Sequence, residues 1–501
     1  MQGGVFDLLI VGGGINGAGI AADAAGRGLS VCLIEMDDLA SGTSQWSSKL
    51  IHGGLRYLEQ YEFRLVREAL AEREIMLARA PHLVRPLRFI MPGAPEMRSS
   101  LRIRAGLLLY DHLARRRRIP KSRAVDLALE PAGRALGPQF RIGFAYWDCS
   151  VDDARLVVLN ARLAASLGAL IRTRTKVVHL ERGEEAWLVT IQDAAGRETC
   201  RARAVMNAGG PWAGSVAGLA RGNAHPAAIT LSLVKGSHIV VPRIADANDA
   251  YLLQNSDGRA VFILPFEGDF TLIGTTDVPV TGSPSDAVCT TEEEDYLIAA
   301  ANRFLAQPLT RGDIVWRFAG VRPLQAGETG MKPSALSRDY QLVQSGDRRG
   351  EILLTVIGGK ITTYRALAES VIQRLRPYFP GLAPSWTARR PLPGGDIPNE
   401  DFDLYLEGLA RLYAWLPEPM MQALARRHGT LVSAVVGDAR RLEDMGKLFA
   451  GGLSEREVSY LVANEWAITP EDVLWRRSKA GLHYPTMDAR KQAAASLAAI
   501  L

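Results

Sequence analysis

The chain has 501 residues, 47% of them hydrophobic and 23% charged, with a formal net charge of +5. That length accommodates two or three domains around at least one large core, and the mild basic excess admits an acidic substrate or an anionic membrane surface while giving no case for nucleic acid. Cys32, Cys149, Cys200 and Cys289 are far apart and form no C-x-x-C pair, so they read as reduced core thiols. The eight histidines show no H-x-x-x-H or H-x-x-E-H spacing, so no metal site is expected. No window approaches 18 uninterrupted apolar residues, and no cationic leader precedes the first apolar run. Neither a spanning helix nor a signal peptide is expected.

Residues 6–11 form a short apolar run ending in glycines, the pattern of a buried parallel strand. Residues 15–27 are rich in Ala and Gly and predict a helix able to lie close on a sheet. A second strand over 29–35 completes a β-α-β unit. Between them, Gly12-Gly-Gly14-Ile15-Asn16-Gly17 fits G-x-G-x-x-G, and Glu35 closes the second strand. Gly12 permits the tight turn, Gly14 lets a pyrophosphate approach the backbone, and Gly17 lets helix and strand pack. The helix N-terminus supplies N–H groups and positive dipole to phosphates. Glu35 suits the adenosine ribose hydroxyls and would repel a 2′-phosphate, which argues against NADP.

The next segment, 37–54, is polar and rich in Ser, Thr and Gly, including Thr43, Ser44, Ser48 and Lys49. Short hydroxyls and backbone amides of this sort suit the pyrophosphate and ribityl chain of FAD better than a plain NAD enzyme requires. A helix is expected over 62–80, with Val66, Ala69, Leu70, Met76 and Leu77 on one face, and it stops before Pro81. Seven arginines (98, 102, 104 and 115–118) against the single acid Asp111 flank Leu107-Leu-Leu-Tyr110, the arrangement of an interfacial membrane segment. Residues 173–207 alternate as a hairpin or meander, and strands are expected at 236–242, 270–274 and 351–357. Gly358-Gly359-Lys360-Ile-Thr362-Thr363 then repeats the strand–glycine–helix junction, its helix running to about 376 and its N-terminus able to stabilise negative charge on a reduced flavin. Beyond Pro391-Leu-Pro-Gly-Gly395 the patterns are mostly helical.

Taken together, Gly12 to Ile20, Ser48-Lys-Leu50-Ile-His52-Gly53-Gly-Leu-Arg56-Tyr57, Lys235-Gly-Ser-His238, Ile273-Gly-Thr-Thr-Asp277, Gly320-Val-Arg322-Pro-Leu324 and Gly358 to Tyr364 resemble the FAD-dependent glycerol-3-phosphate dehydrogenases, and within them the aerobic, quinone-linked bacterial enzymes. The resemblance spans nearly the whole chain. It implies an α/β + α fold in three parts. A glutathione-reductase-like FAD-binding Rossmann domain would take residues 1–90, 145–225 and 330–390. A substrate or cap domain with an antiparallel sheet would take 91–144 and 226–329, and a helical C-terminal domain 391–501. It also implies oxidation of sn-glycerol 3-phosphate to dihydroxyacetone phosphate, with electrons passed to ubiquinone at the cytoplasmic face of the inner membrane, and leaves room for a homodimer.

On this reading FAD is held by Gly12, Gly14, Ile15, Asn16, Gly17, Glu35, Thr43, Ser44, Ser48, Lys49, Leu50, His52, Gly53, Gly359, Lys360 and Thr362. By similarity Arg56, Arg322, Arg338 and Lys360 are the substrate-site cations, guanidinium forks being the best match to a phosphate dianion. Arg322 also serves the reaction, and His238 has the intrinsic pKa of a general base. His52 is expected to pack on the flavin. Two competing readings keep the cofactor: an oxidase that passes electrons to O2 and releases H2O2, and a non-catalytic flavin-binding redox sensor.

Overall fold

The computed structural model describes residues 4–93, 100–221, 229–244, 248–255, 259–325, 339–346 and 352–501. The first elements are the predicted β-α-β unit: β1 (Val5–Val11), α1 (Ile15–Gly26) and β2 (Val31–Ile34). Three more helices matter below: α2 (Phe63–Arg79), α3 (Ser100–His112) and α4 (Asp153–Ser166). β1 pairs in parallel with β2 on one side and with Gly196–Asn207 on the other, and Ile352–Ile357 continues that parallel set. Such strands are buried on both faces and need apolar residues throughout; Leu8, Leu9 and Ile10 in β1 and all of β2 are buried. The 173–207 region folds as the antiparallel strands Lys176–Arg182, Trp187–Asp193 and Gly196–Asn207, and the last of these runs on into the parallel core of a nine-stranded sheet. α1 packs against α4 and against Tyr364–Leu375.

A second sheet of ten strands is almost wholly antiparallel. Its long central pairs are Val84–Pro92 with Ile142–Val151, and Leu231–Pro242 with Trp316–Gln325. The expected domain cuts at 90/91 and 144/145 fall inside two of these strands, both of which lie in the second sheet. The sequence does not reveal this because an apolar strand buried on both faces reads alike in either sheet. Cys32, Cys149 and Cys200 are buried free thiols and Cys289 is a half-buried one. Burial pushes the Cys32 thiol up to about 12, which leaves it unreactive.

The C-terminal part is built mainly from the helices Phe402–Leu412, Glu418–His428, Glu455–Glu465 and Met487–Ala498, with a π-helical turn at Asp472–Arg477. Its seam with the first sheet's domain is ionic rather than oily. Arg155 of α4 donates to Glu465 and to the Arg427 carbonyl, Arg477 donates to Asp38 at 2.7 Å, and Lys479 reaches Asp152 at 3.0 Å. Among the described residues, no helix is long and apolar enough to cross a membrane.

Candidate active site

β1 ends at Gly12, which takes φ +111, and a Cβ there would lie 2.5 Å from the Ala208 carbonyl oxygen. A Cβ on Gly17 would lie 1.9 Å from the Gly12 oxygen, so α1 meets the strand as closely as backbones allow. Gly14 is the N-cap residue of α1 and makes no side-chain cap. Instead Ser44 Oγ accepts from the Ile15 N–H at 2.9 Å, and the following N–H groups of the turn have no intrahelical acceptor. Glu35 is buried, and its two oxygens accept from the backbone N–H groups of Gly13 (2.5 Å) and Asp37 (2.9 Å). Burial raises its pKa, against those two hydrogen bonds. The carboxylate thus shapes the glycine loop, with lone pairs left for a ribose.

The second glycine junction lies beside the first. Asn16 Nδ2 donates to the Gly358 carbonyl at 3.3 Å, and Asn16 Oδ1 is buried with no protein partner. Gly358 also sits close to the Pro323 carbonyl, next in chain to Arg322. Further along, Thr362 Oγ1 accepts from the His52 N–H at 3.2 Å, and the Lys360 ammonium stands 3.7 Å from the Tyr57 ring centre. Arg56 is exposed on the short 3-10 segment Leu55–Gln60. The loop 41–54 is pinned to the second sheet by Thr43 Oγ1 donating to the Val321 carbonyl (2.6 Å) and by Trp46 stacking on Phe318 (5.3 Å).

The register of Leu231–Pro242 on Trp316–Gln325 sets His238 opposite Phe318 and Val234 opposite Arg322. His238 stacks on Phe318 at 4.8 Å, and its Nε2 lies 2.9 Å from Ser48 Oγ. Its Nδ1 is buried without a partner. Burial first, then Arg322 and Lys49, hold its pKa well below the usual histidine range. Arg322 is ion-paired with Asp277 and donates to Thr275 Oγ1 at 3.3 Å. Leu50 pairs with Ser150 in the second sheet.

Two expected residues behave differently from their motif. The Lys49 ammonium turns inward, bonding both Asp153 oxygens and the Gln45 carbonyl at 2.8–2.9 Å. Its backbone is engaged too, the N–H donating to Ser47 Oγ and the carbonyl accepting from the Val151 N–H, both at 2.9 Å, so Lys49 braces the loop from within. The Gly53 N–H is held by Tyr110 OH (2.9 Å) and Asp148 (3.1 Å), and a Cβ on Gly53 would meet that hydroxyl at 2.5 Å. Arg338 and Arg98 lie outside the described residues. Asp277 and Tyr57 stood inside quoted motifs without a role; Asp153, which holds Lys49 from 104 residues away, carried no sequence signal. Among the described residues, no cluster of His, Cys, Asp or Glu could hold a metal ion.

Residues 7–365 match the model of the FAD dependent oxidoreductases. The chain belongs to that family. Residues 385–501 match the C-terminal domain of alpha-glycerophosphate oxidase. The chain is 49% identical to a glycerol-3-phosphate dehydrogenase of Pseudomonas aeruginosa, over 95% of this chain and 92% of that protein. It is 48% identical to the D-erythritol 1-phosphate dehydrogenase of Brucella abortus, over 95% of each. The crystal structure of a glycerol-3-phosphate dehydrogenase from Bacillus halodurans complexed with FAD superposes with a TM-score of 0.76 at 26% identity, covering 100% of this chain and 95% of that one. FAD is the cofactor of this oxidoreductase family, and the residues present fit it: a crowded glycine turn, a helix N-terminus whose N-cap Gly14 carries no capping side chain, and the orphaned Asn16 Oδ1 between two glycine junctions.

Proposed function

We propose that this enzyme oxidises sn-glycerol 3-phosphate to dihydroxyacetone phosphate. The observation that supports the reading most is the approach of the second glycine junction to two cation-bearing segments: Gly358 faces the Pro323 carbonyl, next in chain to Arg322, and Lys360 lies on Tyr57, the neighbour of Arg56. A phosphate dianion needs several cations, and Arg322, Lys360, Arg56 and Arg338 supply them. Bound FAD supplies the acceptor for the hydride leaving C2. Gly12, Gly14, Ile15, Asn16, Gly17, Glu35, Thr43 and Ser44 hold its dinucleotide end. Ser48, Leu50, His52, Gly359, Lys360 and Thr362 face its chain and ring, while Lys49 and Gly53 hold that loop in place from the protein side.

His238 takes the hydroxyl proton. It stands neutral, the state a base requires, and a phosphate beside Arg322 cancels part of the charge that depresses it. Substrate binding then raises its proton affinity where the proton is released. Ubiquinone receives the electrons, at an anionic membrane surface on the cytoplasmic side. Support for that surface comes from α3, whose Leu101, Leu108 and Leu109 are exposed beside Arg102 and Arg104, while Leu107 and Tyr110 turn into the core.

The deciding experiment is anaerobic titration with sn-glycerol 3-phosphate, read by bleaching of the flavin band. An unbleached band refutes the reading and leaves the redox sensor. The similarity to D-erythritol 1-phosphate dehydrogenase favours a second substrate, so kcat/KM is compared for the two phosphates; a higher value for D-erythritol 1-phosphate reassigns the substrate. Rapid H2O2 release without quinone reduction would reassign the acceptor to O2. Arg322→Ala removes charge-assisted contacts worth about 1.5–3 kcal/mol each, so kcat/KM falls by an order of magnitude or more; an unchanged value removes Arg322 from the site.

A further inference from the structure

Away from the glycine junctions, a cleft of about 820 Å³ opens between α2, the turn after α3 and the linker into the C-terminal domain. Glu74, Arg79, Arg115, Arg117, Arg118 and Arg389 line it, with Asp396 and Glu400 at the linker side. Arginines outnumber acids there, and the acids are partly spent: Glu400 pairs with Arg118, and Glu74 Oε2 accepts from the Arg117 N–H at 3.2 Å. The guanidinium groups of Arg115, Arg117 and Arg389 make no ion pair or hydrogen bond to protein among the described residues, and all three are exposed. Arg79 is fixed from behind, donating to the Arg390 carbonyl (2.9 Å) and to Tyr364 OH (3.1 Å).

A second feature is chemically distinct. Glu74 is over nine-tenths buried, and its Oε1 has no hydrogen-bond partner. A buried carboxylate oxygen without a donor is costly. Forked cations answer a phosphate, whereas an orphaned acceptor answers a hydroxyl donor. The volume is that of a small-molecule site.

We propose that this cleft binds a phosphate ester that also carries free hydroxyl groups, the phosphate on Arg389 and the arginines of the turn and a hydroxyl on Glu74. Two sources share that chemistry: the headgroup of a glycerol-bearing phospholipid, and a free polyol phosphate. The site is separate from the one around Arg322 and Lys360. Its link to that site is Arg79, whose partner Tyr364 directly follows Thr362 and Thr363.

The test is calorimetric titration of FAD-loaded protein with glycerophosphoglycerol and with inorganic phosphate. The diester is expected to bind one saturable site at least tenfold more tightly than phosphate. Arg389→Glu, at an exposed position, should weaken both by tenfold or more, and Glu74→Gln should erase the difference while sparing phosphate. Vesicle sedimentation separates the sources. Preference for phosphatidylglycerol over phosphatidylserine at equal charge, lost in Arg389→Glu, identifies the lipid. Equal sedimentation with retained diester binding identifies the free polyol phosphate. Absence of saturable binding, or curves unchanged in Arg389→Glu, overturns the proposal.

Discussion

A methyl group at residue 17 has nowhere to go, since it would sit 1.9 Å from the Gly12 oxygen, and relief requires α1 to swing off β1. That motion carries the Asn16 and Gly17 amides away from any phosphate they serve. Gly17→Ala should therefore purify with less than about a tenth of the normal FAD, read from the visible-to-ultraviolet absorbance ratio, since closely placed helix N-termini are what such sites depend on. Full loading would show that the turn tolerates the shift. Lys49 poses the opposite problem, a cation buried because it is paired. Burial lowers its pKa while Asp153 works to raise it, so Asp153→Ala strands a charge in the core. Breaking such a pair costs about 3–5 kcal/mol, and replacing both members with apolar residues should recover much of the loss. Chemical denaturation of the single and double variants checks both statements.

Among the elements, α3 has two faces with different work. One carries exposed leucines and arginines; the other inserts Tyr110, whose hydroxyl donates to Asp148 (2.7 Å) and accepts from the Gly53 N–H. Arg73 closes the network on Asp148 at 2.7 Å. Tyr110→Phe leaves a buried acceptor and donor short of partners, at a cost of about 1–3 kcal/mol. Faster hydrogen exchange at Gly53 is the expected signature, and unaltered exchange would show that Asp148 alone suffices. The sequence disclosed the β-α-β unit, both glycine junctions and α2 because each is written in local spacing, the α2 apolar face landing within a residue of its expected ends. It disclosed neither Asp153 beneath Lys49 nor Asp148 beneath Gly53. Those partners are about a hundred residues away and join through sheet register, which no local period encodes.

At the scale of the molecule, the ionic seam makes stability depend on acid in a defined direction. Burial, then Arg155 and His428, push His82 down to about 3 from an ordinary 6.5. As pH falls through 6.5 the unfolded chain takes up this proton and the folded chain does not. Stability is therefore complete above 6.5 and is lost toward 3, at about 1.4 kcal/mol per pH unit for each such proton. Burial opposes the charges of Glu457 and Glu465, yet Arg427 and Arg155 respectively hold them down to about 2. Their contribution is present above 4.5 and fades toward 2, in the same sense as that of His82. Glu35, whose pKa burial raises, works in the opposite sense, so the His82 part is isolated by substitution: His82→Gln should make the dependence of melting temperature on acid below pH 6.5 shallower than in the parent. Parallel profiles of parent and variant between pH 6.5 and 4.5 would contradict this account.

The pairing of Lys479 with Asp152 also orders events in time. Asp152 adjoins Asp153, which grips the loop residue Lys49, so a brace for this loop depends on a residue 327 positions later in the chain than Asp152. Domains ordinarily fold as they leave the ribosome, N-terminal first. Here the loop is braced only once a residue 327 positions beyond Asp152 has been made, so fragments that stop before Lys479 should take up little FAD, read from their visible absorbance.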